Sequence, residues 1–317
     1  MSIVRRIFPS DIDALRPRLA CEITPAGVLA ARPGSVAEIG QAQDVVTHFA
    51  PLRMGVLVPS LKAPAMTDRA AVSAALGQAL EPIAERSKKV TVIVPDAAVR
   101  VLLLDFDTLP AKTADVLPIL RFRLKKLVHF DVEDAAISWQ VLPKNGDEML
   151  LRTVVAVMPA AVRAEYEDAV REAGYEPGAV LSSSLAALAA VPGEDPALVV
   201  NRNANCVTTA IVRGPQLLLF RTMELSDGAR DEVDEAQTAA ELQQTVSVAI
   251  AYYEDTLAST AHTIYSVGPG GAGELDRLLA LPGVRVRDLT PSRESYGTTT
   301  PSATTGMLAP VVGALAS

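Results

Sequence analysis

Residues 91–142 read TVIVPDAAVRVLLLDFDTLPAKTADVLPILRFRLKKLVHFDVEDAAISWQVL. The stretch begins within an almost uninterrupted apolar run, VTVIVP (90–95). A strand of this composition is typical of a sheet that is covered on both faces, as in α/β proteins. A second apolar run, VRVLLLDF (99–106), follows Asp96-Ala97-Ala98. This short polar break between two strands predicts a hairpin.

The next segment, LPAKTADVLPILRFRLKKLVHF (109–130), has the spacing of an amphipathic helix. One stripe along it consists of leucines, namely Leu117, Leu120, Leu124 and Leu127. The remainder is basic, with Arg121, Arg123, Lys125 and Lys126. Pro118 limits where the helix can begin, because proline suits the first turn of a helix and would kink its interior.

Strands and helices alternate through the rest of the first half. Hydrophobic runs and turn residues predict a hairpin over 21–31 and further strands at 54–60, 135–142 and 149–159. Asp68 is placed to cap a following helix. A helix over 160–173 should end at Gly174, and residues 178–193 read as a short strand, a serine cap and an apolar helix.

The second half repeats this pattern after a boundary at Pro192-Gly193-Glu194-Asp195-Pro196. Three strands, 197–201, 206–212 and 216–223, precede a long helix with an apolar face that consists of Leu242, Val246, Ile250, Tyr253 and Leu257. A strand then enters the turn Gly268-Pro269-Gly270-Gly271, and a helix follows it. Residues 290–305 are predicted to be mobile, and 307–316 to dock back as a short helix.

Composition excludes several classes of protein. The chain has 317 residues, 29 basic and 37 acidic side chains and a net charge of -8, which disfavours nucleic acid or an anionic membrane surface as the main partner. No apolar run approaches the ~18–20 residues that span a bilayer, and MSIVRRIFPSDID lacks the apolar core of a secretory signal. The two cysteines are far apart in sequence and form no motif, which fits the reducing cytoplasm. The three histidines are isolated, so the sequence predicts no zinc site.

Three further segments carry a family resemblance together with residues 91–142. They are ELQQTVSVAIAYYEDT (241–256), HTIYSVGPGGAGELDRLLA (262–280) and GMLAPVVGALA (306–316). In this order, and over most of the chain, they resemble PilM-type type IV pilus assembly proteins. The resemblance implies an α/β, two-domain actin-like (ribonuclease H-like) fold. Residues 1–192 would form a first domain with a small subdomain inserted at about 97–150, and residues 193–317 a reduced second domain whose C-terminal helix docks back.

The resemblance also implies a partner. Such proteins bind the cytoplasmic N-terminal tail of the bitopic inner-membrane protein PilN, in a groove between the first domain and its subdomain. The cytoplasmic half of GspL, from type II secretion, is the related alternative. By position, the face around Leu117, Leu120, Arg121, Phe122 and Leu124 would lie at or near that groove. In the alternative interpretation, the leucines are only core and the basic residues keep an exposed face soluble.

The sequence departs from the family where a nucleotide would bind. Actin-like sites use two Asp-led, Gly-containing hairpins around phosphate and Mg²⁺, and a glycine-rich turn. In the first hairpin, Glu22 stands near the position where the family has Asp, and Pro25 has no backbone N–H to donate to a phosphate. In the second hairpin, Asn201 stands where the carboxylate is expected, and Asn203 and Ala204 stand where glycine is expected. Of the three elements, only the glycine-rich turn is present, at Gly268, Gly270 and Gly271. If ATP with Mg²⁺ binds, these three glycines are the residues expected to contact it.

We therefore expect a non-enzymatic assembly protein, peripheral at the inner membrane through its partner and not inserted in the bilayer. An active ATPase or phosphotransferase on the same fold is the rival from another class. A filament-forming protein is a third hypothesis. Self-association into a homo-oligomer stays open in each.

Overall fold

The structure is a computed structural model that describes residues 17–34, 45–144, 149–203, 205–225, 232–289 and 306–316. Two predictions fall outside these ranges: the mobile stretch 290–305 and the replacement of glycine by Ala204. Within the described residues, thirteen strands form two five-stranded sheets and one three-stranded sheet.

The first sheet combines an antiparallel meander with two parallel strands, in the order β3-β2-β1-β4-β8. Its strands are β1 (Leu19–Thr24), β2 (Gly27–Pro33), β3 (Val45–Pro51), β4 (Lys89–Val94) and β8 (Glu176–Ser182). The predicted hairpin over 21–31 is confirmed. The strand predicted at 54–60 is wrong: a turn at Gly55 and a proline at Pro59 leave only an isolated bridge between Leu57 and Met66. The strand that extends the hairpin into a three-stranded meander is β3, which pairs with β2.

Helices cover both faces of this sheet. Helix α1 (Arg69–Leu80) starts where predicted, because Asp68 accepts a 3.0 Å hydrogen bond from the Ala71 amide. Helix α3 (Ala160–Glu172) ends before Gly174, whose positive φ of 85° confirms the predicted cap. The short helix α4 (Ser183–Leu188) follows β8 and is capped by Ser182.

The small sheet has the order β5-β7-β6, with β5 (Arg100–Phe106), β6 (Ala136–Val141) and β7 (Leu151–Met158). The hairpin predicted at Asp96-Ala97-Ala98 is wrong. These residues form a 3₁₀ turn that carries the chain from β4 in the first sheet to β5 in the small one. Helix α2 (Thr113–Leu124) covers one face, includes Pro118 inside it, and ends before the exposed Leu127.

The second sheet repeats the plan of the first, in the order β11-β10-β9-β12-β13. It comprises β9 (Ala197–Asn203), β10 (Cys206–Arg213), β11 (Gln216–Glu224), β12 (Thr263–Val267) and the unpredicted β13 (Arg285–Asp288). Helix α5 (Glu232–Leu257) buries Leu242, Val246 and Tyr253 against this sheet, as predicted. Helix α6 (Gly271–Leu279) follows the glycine turn.

The chain finally returns to the first sheet. Helix α7 (Leu308–Ala316) buries Leu308 and Val311 with Ala20 and Leu29 of β1 and β2, so the predicted docking of the C-terminal segment is confirmed. The main core is shared by the first sheet, α1, α3, α4 and one face of the second sheet. The domain boundary at 192–196 stays a prediction.

Candidate functional site

An apolar groove lies between the first sheet and the small sheet. Its cavity has a volume of about 160 Å³ and is lined by strands β4, β6, β7 and β8 and by α4. The apolar side chains that form it include Val94, Ile137, Ala156, Met158, Leu181 and Leu185. The lining is therefore suited to apolar side chains of a ligand.

Two strand edges flank this groove. β6 is the last strand of the small sheet and β8 is the last strand of the first sheet, so neither is paired on its outer side with another described strand. Residues of both, Ser138 and Val180 among them, line the cavity. An extended peptide can add to such an edge through its backbone.

The groove contains one charged side chain, Arg163 from the first turn of α3. Its Nε lies 3.7 Å from the Glu167 carboxylate, too far for a hydrogen bond, and that carboxylate is paired with Arg171 at 2.8 Å. The guanidinium is therefore available to an acidic or polar group of a ligand.

The predicted partner face on α2 divides between core and surface. Leu120 and Leu124 are fully buried and pack with Val155 and Val157 of β7. Leu117 and Arg121 are half-buried, and Phe122 is 65% exposed. Buried leucines cannot contact a ligand in this conformation, so the surface of α2 offers Phe122 rather than a leucine stripe.

The small sheet separates α2 from the groove. Successive side chains of a strand point to opposite faces. On β7, Val155 and Val157 face α2, whereas Ala156 and Met158 face the groove. The structure therefore brings Leu117, Leu120, Arg121, Phe122 and Leu124 together on one helix, but on the far face from the apolar groove.

A second candidate site is a buried polar cluster where the two five-stranded sheets meet. At its centre is Asp96, in the turn after β4, with an exposed fraction of 2%. Its Oδ1 accepts from the Ser184 amide at 3.1 Å, and its Oδ2 accepts from the hydroxyls of Ser184 and Thr208. Burial raises the pKa of Asp96, and these hydrogen bonds oppose the rise.

Glu22 of β1 is the other carboxyl group of the cluster. Its Oε1 accepts a 2.6 Å hydrogen bond from Ser183, and its Oε2 is buried without a partner. Desolvation raises the pKa of Glu22 to about 8; the Ser183 bond lowers it and the nearby Asp96 raises it further. Asn201 of β9 donates to both Ser183 and Ser184 at 3.0 Å, which links the second sheet to α4.

The glycine turn retained from the family pattern lies beside this cluster. Gly268, Gly270 and Gly271 all have positive φ, as the sharp entry into α6 requires. The chain itself covers the turn: the Gly268 amide donates a 2.8 Å hydrogen bond to the carbonyl of Gly306, and the Glu274 side chain lies against Gly270.

These residues do not fit a magnesium nucleotide. Both oxygens of Asp96 already accept hydrogen bonds, Oδ1 from the Ser184 amide and Oδ2 from the Ser184 and Thr208 hydroxyls, and the first hairpin offers a carboxyl group with a raised pKa. Gly306 and Glu274 pack against the glycine turn and reduce the space that is left there for a nucleoside. Asn203, a predicted departure from glycine, has a buried side-chain oxygen without a partner. No group of three or more His, Cys, Asp or Glu suited to a metal occurs among the described residues.

Sequence reasoning missed Asp96, Ser183, Ser184 and Thr208 as members of one site. Asp96 follows a fully apolar strand, and the carboxyl ends of parallel strands are where ligand sites of α/β proteins form. That signal was present in the sequence. The partners of Asp96 lie 88 and 112 residues away, and no local pattern connects them.

Comparison with known proteins supports the fold. No protein-family model matches the sequence, and no curated relative matches it. A chain of the "PilM-PilN type IV pilus biogenesis complex" aligns with a TM-score of 0.70 and 17% identity, over 94% of this chain and 98% of that one. The cytoplasmic domain of EpsL, an inner-membrane component of the type II secretion system of Vibrio cholerae, aligns with a TM-score of 0.51 and 14% identity, over 94% of each chain.

The predicted actin-like fold and the resemblance to PilM are therefore confirmed at the level of fold. The GspL-type alternative is represented by the EpsL domain. Across the described ranges, no helix combines the length and the apolar character needed to cross a bilayer.

Proposed function

We propose that this protein is a non-catalytic assembly protein of a type IV pilus, or of a related type II secretion platform. It holds the cytoplasmic N-terminal tail of a PilN-like inner-membrane protein in the groove between β6 and β8. That partner places it at the cytoplasmic face of the inner membrane. The shared fold with a chain of a PilM-PilN complex supports the proposal.

The apolar groove is the observation that carries this proposal. Its volume of about 160 Å³ is below the ~300–1,000 Å³ that is usual for small-molecule pockets. It suits one or two apolar side chains of an extended segment. The unpaired edges of β6 and β8 supply backbone donors and acceptors for such a segment, and side-chain pockets supply specificity.

The absence of catalysis is part of the proposal and rests on the polar cluster. Its carboxyl groups are used in internal hydrogen bonds, Glu22 with Ser183 of α4 and Asp96 with Thr208 of the second sheet. One observation favours the rival ATP-binding function, namely the glycine turn with its three positive-φ residues. Calorimetry with Mg-ATP separates the two: we expect no binding heat. Saturable binding that is lost in Gly270→Val would support the rival instead.

The groove is tested with a fluorescent peptide that corresponds to the cytoplasmic N-terminal tail of a PilN-like protein. Ser138 is exposed at the groove, so Ser138→Trp fills it without disturbing the core. We expect this change to weaken binding at least about tenfold, measured by fluorescence anisotropy.

Two variants serve as controls. Ser138→Ala removes the hydroxyl without adding bulk and should bind like the wild type. Phe122→Ala alters the exposed side chain on the far face of the small sheet and should also bind normally. If Phe122→Ala abolished binding while Ser138→Trp did not, the α2 surface would be the site and the groove assignment would be wrong.

A further inference from the structure

The contacts between the two five-stranded sheets are apolar at one end and polar at the other. At the base of the β9–β10 pair, Ala197 and Val212 are buried in the main core. Near the hairpin tip, Asn201 and Thr208 face the first sheet and bond to its polar groups. The tip is therefore held by hydrogen bonds, which depend on protonation, and the base by packing, which does not.

The charges around Glu22 are mostly negative or neutral. Asp96 faces it from the turn after β4, the Cys21 thiol is adjacent in sequence, and the Cys206 thiol lies near Asp96. Arg100 acts on the Cys206 thiol, and its Nη2 is paired with Glu224 of β11 at 2.9 Å. Helix α7, which packs on β1, has no titratable side chain. An ionised Glu22 would therefore share a dry interface with Asp96.

We propose that Glu22, Asp96, Ser183, Ser184, Asn201 and Thr208 form a proton-dependent latch that holds the β9–β10 tip against the first sheet. With Glu22 protonated, Glu22 adds no charge beside Asp96, and the hydrogen bonds close the interface. When Glu22 loses its proton, repulsion and desolvation favour release of the tip. The latch does not depend on the proposed partner.

The direction of the pH effect follows from the position of Glu22. In the closed form the pKa of Glu22 is raised from 4.5 to about 8; in the open form water reaches the carboxyl group and returns its pKa to the ordinary value. The closed form thus binds a proton that the open form releases. Closure is strongest below pH 4.5, weakens about tenfold per pH unit above it, and levels off above about pH 8.

Cys206 is a native reporter of this opening. It is buried on β10 near the tip, and its sulfur accepts a hydrogen bond from the Ala97 amide in the turn after β4 of the first sheet. Cys21 lies in the core of the first sheet and is also buried. Alkylation of Cys206 therefore reports release of the tip, and alkylation of Cys21 reports global unfolding.

The experiment measures the alkylation rate of each cysteine by mass spectrometry between about pH 6 and about pH 9. Dividing the wild-type rate by that of Glu22→Gln at the same pH removes the intrinsic pH dependence of thiols. For Cys206 we expect this ratio to rise about tenfold per pH unit up to about pH 8 and then to level, while Cys21 stays protected. A ratio that does not change with pH, or equal reaction of both cysteines, overturns the latch.

A second variant keeps the test valid if Glu22→Gln folds poorly. Thr208→Val keeps the shape of the side chain and removes its bond to Asp96. It should speed Cys206 alkylation at every pH and leave Cys21 protected; an unchanged rate overturns the latch. If Mg²⁺ alone slowed Cys206 alkylation in the wild type but not in Glu22→Gln, Glu22 would bind a cation instead of controlling closure by its proton.

Discussion

Thr208 donates a 2.8 Å hydrogen bond to Asp96 Oδ2, and this bond joins β10 of the second sheet to the turn after β4 of the first. Both side chains are almost completely buried. Leaving either partner of a buried hydrogen bond without the other is costly. The pair is thus a direct link between sheets whose residues are 112 positions apart.

Asp96→Ala should destabilise the protein by about 3 kcal/mol or more, because it removes the acceptor of the buried Ser184 amide and the buried hydrogen bonds from the Ser184 and Thr208 hydroxyls. Urea denaturation followed by circular dichroism measures the change. Asp105→Ala is the matched control, since the Asp105 side chain is exposed and forms an ion pair with Arg152 at 3.1 Å. That change should stay within about 1 kcal/mol. Equal losses in both variants would contradict the role of Asp96.

Leu120→Ala should cost about 2–5 kcal/mol, because Leu120 is fully buried in the core of the small sheet. Phe122→Ala, on the same helix but 65% exposed, should cost less than about 1 kcal/mol. Thermal and urea denaturation of both variants compares them directly. A large loss for Phe122→Ala would indicate that its ring is covered in solution.

Gly268→Ala should destabilise the glycine turn. Gly268 has a φ of 107°, and a Cβ there would collide with the Arg202 carbonyl. Gly273→Ala lies in α6 with open space around it, so it should be neutral or stabilising by up to about 1 kcal/mol. Differential scanning fluorimetry should therefore show a lower melting temperature for Gly268→Ala and an unchanged or higher one for Gly273→Ala. A melting temperature of Gly268→Ala at or above the wild-type value would show that the turn tolerates a side chain.

Asp68→Ala should cost about 1 kcal/mol, because the side chain of Asp68 accepts from the Ala71 amide at the start of α1. Asp68→Asn keeps this capping oxygen but removes the charge that faces Arg53 at 3.5 Å. Asparagine is as good a cap as aspartate, so this variant should stay close to wild type in urea denaturation. Equal losses would assign the effect to the exposed ion pair.

Local signals in the sequence predicted the elements whose causes are local. The cap at Asp68, the positive φ of Gly174 and the apolar face of α5 follow from neighbouring residues alone. The hairpin predicted at Asp96-Ala97-Ala98 is wrong because two strands with a short polar break between them have the same sequence pattern in a hairpin and in a crossing between two sheets. The pairing of β5 with β7 distinguishes the two.

The site was less predictable than the fold for the same reason. The leucine stripe of α2 correctly indicated a buried face, but spacing does not tell which surface of the small sheet that face covers. The groove needs residues from β4, β6, β7, β8 and α4, which come together only in the folded chain. The polar cluster likewise depends on contacts between the two halves of the sequence.

Three consecutive serines connect the two candidate sites. Ser182 lines the groove and caps α4, while Ser183 and Ser184 bond to Glu22 and Asp96. A ligand that shifts this turn therefore changes the proton affinity of Glu22, and thermodynamic reciprocity requires protonation to change the affinity for that ligand by the same factor. This one turn of backbone would then couple the pH to the occupancy of the groove.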